Sequence, residues 1–141
     1  RLAAVVNEGD IIINPSNGAA ITYLACRHYG ARPDGVININ PALDRKRTHD
    51  AKWVRTIHSD SDRWVWLSRW LPGHIWGDQG KVGYRGKSRY TTNCNASRLE
   101  GVLKYDHHCG LFHHCRIDEW AQMLSQWIVE KTQEKNQEEN A

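Results

Sequence analysis

The chain has 141 residues, 40% of them hydrophobic and 25% charged, which fits one ordinary domain and excludes a collagen-like or wholly disordered chain. No apolar run approaches the ~20 residues of a membrane-spanning helix, so no membrane partner is expected. The formal charge of +3 comes from Lys and Arg scattered along the chain, so nucleic acid is not expected as a partner either. Four Cys are too few for a disulfide scaffold. The chain begins with Arg1 and carries no charged-then-apolar signal segment. It reads as the later part of a longer protein, with a cytoplasmic location expected.

Residues 9–43 carry the clearest pattern. Gly9-Asp10 is a turn signal, and Ile11-Ile12-Ile13 is the β-branched run of a strand buried on both faces. Asn14-Pro15-Ser16-Asn17-Gly18 is a turn, in which Pro15 holds Asn14 extended. Residues 19–26 read as a helix that is stopped by Gly30. Residues 35–41 read as a second strand, closed by Pro41. Strand, turn, helix and strand in this order form a βαβ unit with a right-handed crossover.

Residues 53–58 are a third strand in this reading, followed by the polar turn Ser59-Asp60-Ser61-Asp62 and a short helix over 63–70. Such alternation argues for a parallel α/β sheet. Residues 72–101 are dense in Gly and interleaved with Trp76, Tyr84 and Tyr90. They read as a long ordered loop with a strand at 90–94, which could also wall a substrate pocket. Ile117, Trp120, Ala121, Leu124 and Ile128 recur at helical spacing and predict an amphipathic helix. Residues 133–141 are polar and read as a frayed tail beyond a single domain over 1–132. Asn95-Ala96-Ser97 is a glycosylation sequon only in a secreted chain, and 44–47 reads as a solvated charged face.

A serine in a tight strand-to-helix turn among small residues has its hydroxyl exposed. The N–H groups of the new helix lie beside it, where they can stabilise an oxyanion. Ser16 stands in such a turn, although a helix-capping role suits a serine equally well. On these residues the sequence resembles the α/β-hydrolase family over most of 9–130. The family elbow is Gly-x-Ser-x-Gly; here the second Gly matches as Gly18 and the first position is Asn14. Residues 35–43, ending in Asn40-Pro41-Ala42-Leu43, look like the family's next strand. Residues 57–65 look like its acid turn, and residues 106–112 like its histidine loop.

The resemblance implies a three-layer α/β sandwich around a parallel sheet and a catalytic trio in the family order, Ser16, Asp62 and His108. Asn17 would supply an oxyanion-hole N–H. Asp60 and His107 are the alternates for acid and base. A small ester or amide is the implied substrate, cleaved through an acyl-enzyme with no cofactor. The family places several strands ahead of its elbow, whereas only about ten residues precede Ile11. An upstream segment or a partner chain is therefore expected to complete the sheet. That shortfall and Pro15 beside the serine leave a second reading open, a catalytically inactive binding or assembly protein.

A third reading starts from His107, His108, Cys109, His113, His114 and Cys115, which fall within nine residues. Cys and His are the usual zinc ligands. Cys94, Cys109, Cys115 and His114 would form a four-ligand set for a metal-binding or nuclease-like module, although no Cys-x-x-Cys pair is present.

Overall fold

The computed structural model describes residues 4–139. Its centre is a four-stranded, all-parallel sheet in the order β1 (Ile11–Pro15), β2 (Gly35–Ile39), β3 (Trp53–His58) and β4 (Thr91–Asn95). Helix α1 (Gly18–Tyr29) makes the first crossover. Helix α2 (Arg63–Ser68) follows β3, and the single turn α3 (Gln79–Val82) precedes β4. A long terminal helix, α4 (Ile117–Glu139), closes the chain.

Strands put successive side chains on opposite faces, and here the two faces differ in chemistry. Ile37, Ile39 and Ile57 point to the side covered by α4, where Trp120 and Leu124 join them with Tyr105, Leu111 and Ala96 in the main core. Trp120 is fully buried, stands edge-on to Tyr105 and Trp127, and donates its indole N–H to the carbonyl of Leu103 at 3.2 Å.

The other face, where α1 packs, carries a polar row. Register aligns Asn14 with Asn38, Asn38 with Thr56, and Thr56 with Asn93. Asn14, Asn38 and Thr56 are buried. Thr22 of α1 donates to Asn14 Oδ1 at 2.8 Å, and Asn14 Nδ2 donates to Asn38 Oδ1 at 3.2 Å. His49, in the connection between β2 and β3, is 3.1 Å from the same oxygen through Nε2. An amide oxygen only accepts, so Nε2 carries the ring proton. With helices on both faces, the sheet is the middle of three layers.

The βαβ unit and the third and fourth strands stand where sequence patterning puts them. Three expectations change. The β1 strand is not buried on both faces: it lies at the edge of the described sheet and Ile13 is exposed. The glycine-rich loop contains α3, whose backbone is tied to the turns around it: Gln79 N–H donates to Leu43, Gly80 N–H to Pro41, and Ser59 N–H to Gly80. Through Glu139 the polar C-terminal segment is helical rather than frayed, as part of α4; its Glu, Lys and Gln residues are good helix formers, and Lys131 pairs with Glu134 one turn on. No described helix is long and apolar enough to cross a membrane.

Burial lowers the pKa of His49 from 6.5 to about 4. The folded state therefore prefers the neutral ring. The His49 contribution to stability is complete above pH 6.5 and is lost as the pH falls from 6.5 towards 4, by about 3 kcal/mol in total. Urea unfolding at pH 7.5 and pH 4.5 is expected to show this loss, and His49→Gln is expected to shrink the difference between the two pH values. Trp120→Ala is expected to cost about 3–5 kcal/mol in the same assay.

Candidate active site

All three residues of the expected trio lie just beyond the C-terminal ends of strands, where ligands bind in parallel sheets. Ser16 follows β1 directly. Its φ is +48°, a left-handed conformation that costs a non-glycine residue roughly 1–2 kcal/mol. Hydrogen bonds hold it there: Ser16 N–H donates to Ile39 at 2.9 Å, and Ser16 C=O accepts from Ala42 N–H at 3.0 Å. The start of β2's exit loop thus clamps the elbow on both sides.

Pro15 fits because β1 is an edge strand of the described sheet and Pro15 is exposed. Asn14, at the first position of the elbow, is accommodated because its amide enters the polar row.

Asp62 is fully buried at the end of the turn after β3. It is the N-cap of α2: its Oδ1 accepts from Val65 N–H at 3.0 Å. Its Oδ2 lies 2.7 Å from His108 Nδ1. A carboxylate only accepts, so Nδ1 carries the proton and Nε2 presents its lone pair. That lone pair faces Ser16 Oγ at 2.8 Å. Hydroxyl, imidazole and carboxylate form one hydrogen-bonded line drawn from three loops, the geometry by which a nucleophile, its base and an orienting acid are recognised. Asn17 begins the helical side of the elbow, and its side-chain oxygen accepts from the Trp76 indole at 2.7 Å.

The alternates do not enter this line. Asp60 is turned to the surface and paired with Arg98 at 3.2 Å; hydrogen bonding from Asn95 and the Arg98 charge hold its carboxyl below the usual range. His107 is exposed, and its backbone carbonyl faces Asn40. Nor does the zinc set assemble. Cys94 lies on β4 against the α4 core, and Cys109 and Cys115 are exposed free thiols. Among the described residues, no three His, Cys, Asp or Glu side chains converge as a metal centre.

One positioning residue had no role in the sequence reading. Asn40, buried just beyond β2 with φ +44°, donates through Nδ2 to the His108 carbonyl at 2.9 Å. Its Oδ1 accepts from the Tyr105 hydroxyl at 2.7 Å. Asn40 thus ties the histidine loop to the sheet. Gly80 packs so closely on the Asn40 backbone that a Cβ there would lie 2.5 Å from the Asn40 carbonyl carbon. The only local sequence signal for Asn40 was an asparagine before Pro41, a residue type that tolerates left-handed backbone.

Comparison of the chain with protein-family models, with curated proteins and with solved structures found no match.

Removing the Asn40 amide is expected to loosen His108 without touching the trio itself. Asn40→Ala should slow fluorophosphonate labelling of Ser16 by roughly tenfold, in line with a second-tier positioning contact. Tyr105→Phe, which removes only the hydroxyl, should slow it less. Labelling rates with circular dichroism controls check both.

Proposed function

We propose that the protein is a serine hydrolase that cleaves a small ester or amide through an acyl-enzyme. The observation that carries this reading is the continuous Ser16–His108–Asp62 line, with contacts of 2.8 and 2.7 Å. Ser16 Oγ attacks the substrate carbonyl carbon while His108 Nε2 takes the hydroxyl proton. The carbonyl oxygen becomes an oxyanion, for which the Asn17 N–H at the elbow is the assigned donor. As the tetrahedral species collapses, the bond to the leaving alcohol or amine breaks, and the His108 proton passes to that group. Water then repeats the sequence in reverse: His108 accepts its proton, the acid is released, and the proton returns to Ser16 Oγ. Asp62 orients the imidazole and stabilises it while charged.

The order of strand, elbow, acid turn and histidine loop supports assignment to an α/β-hydrolase-like fold, in its portion from the nucleophile strand onward. A second reading, an inactive assembly protein of the same fold, draws on the outer edge of β1, where Ile13 and, on the adjoining helix, Ile21 are exposed.

The test is covalent. A fluorophosphonate is expected to label Ser16 alone, and Ser16→Ala to abolish labelling. His108→Ala and Asp62→Asn are expected to lower turnover of an activated ester by factors on the order of 10³ to 10⁴. A folded protein that neither labels nor turns over such an ester would leave the assembly reading in its place.

A further inference from the structure

Beside Ser16 and His108 opens a pocket of about 330 Å³, enough for roughly eleven water-sized groups. Its walls are Ala42, Trp64, Val65, Leu71 and Trp76. No Lys, Arg, Asp or Glu lines it. Besides the reacting pair, two polar side chains line it: Ser68, whose hydroxyl donates to the carbonyls of Val65 and Gly77, both at 2.7 Å, and Asn17, whose Oδ1 accepts from the Trp76 indole at 2.7 Å. The pocket therefore offers an incoming group no counter-ion.

The wall continues outward. Trp64 and Leu71 lie on the lip, and Leu67 and Trp70 extend it; all four are large apolar side chains exposed to solvent. Trp64 and Leu67 stand one turn apart on α2, and Leu71 follows in the turn after it. They occupy the segment that begins at Asp62, so the acid that orients His108 also fixes the start of the apolar lip. Exposed apolar patches of this kind mark binding sites more often than chance, and this one is continuous with the nucleophile.

We propose that this pocket and lip form the acyl site, and that the substrate class is esters or amides of uncharged alkyl or arylalkyl acids, with Trp64 and Leu71 as specificity-determining residues. The inference rests on Ser16 being the acyl acceptor. An anionic acyl group would lose its hydration against Trp64, Trp76 and Leu71 without gaining a counter-ion. An alkyl chain gains with each methylene placed on these walls. Full burial is worth up to about fourfold per methylene, and an open pocket roughly half of that.

The experiment compares 4-nitrophenyl acetate, butyrate and hexanoate with the mono-4-nitrophenyl ester of glutaric acid, alongside fluorophosphonate labelling of Ser16. The expected result is a rise in kcat/KM of at least tenfold from acetate to hexanoate, with the glutarate ester slower than butyrate. Trp64→Ala and Leu71→Asn, both at exposed positions where the fold has little to lose, should each reduce the hexanoate-to-acetate ratio at least threefold. A protein that labels at Ser16 but shows a flat chain-length profile, prefers the anionic ester, or keeps its ratio in both variants overturns the acyl-site proposal while leaving the hydrolase reading intact. Absence of both labelling and turnover overturns the two together.

Discussion

The two oxygens of Asp62 carry the organisation of the site. One closes the first turn of α2, and the other holds the Nδ1–H of His108. A short helix has few bonds of its own, and capping contributes about 1 kcal/mol to such a terminus. The same carboxylate that caps α2 therefore sets the orientation of the His108 ring. Because it is fully buried, it has no solvent to turn towards, and its two acceptors stay aimed at these two donors. Pocket, His108 ring and helix start are one mechanical unit.

Ser16 and Asn40 are the complementary pair on the neighbouring loops. Both are non-glycine residues with positive φ, and both follow a parallel strand directly. Strained residues of this kind persist only where their surroundings over-determine them. Here each is held by hydrogen bonds to a neighbouring segment: Ser16 through Ile39 and Ala42, and Asn40 through Ile57, Tyr105 and His108. The turn α3 braces the same region from outside, with Arg45 gripping Asp78 at its start through two hydrogen bonds. A loop rich in glycine is well suited to this, because Gly80 lets one backbone lie against another.

Much of this arrangement could be read from local sequence. Ser16 is legible in the polar turn that ends a β-branched strand. Asp62 and His108 follow from the resemblance of residues 57–65 and 106–112 to the α/β-hydrolase acid turn and histidine loop, and the fold brings the imidazole of His108 between the other two. The parts that escaped are those whose meaning is nonlocal. Nothing local marks Asn38 and His49 as partners; only the register that sets Asn38 beside Asn14 makes them a network. Residues 79–82 have weak helix propensity, and their helical turn comes from anchoring to Leu43, Pro41 and Ser59. The end of α4 was misread for the opposite reason: polarity suggested fraying, whereas its residue types favour helix whether or not a face is buried.

The amide row across the α1 side of the sheet has a consequence for how the chain finds its alignment. Parallel strands of nearly uniform isoleucine and valine would pair almost equally well if displaced by one position, since either face would look alike. Asn14, Asn38 and Thr56 remove that degeneracy. Sliding β2 by a single residue would turn Asn38 towards Trp120 and Leu124 and strand its amide in hydrocarbon, at a cost of several kcal/mol. The row works as an index mark against one-residue slips, so that the loops at the strand ends arrive already matched to each other.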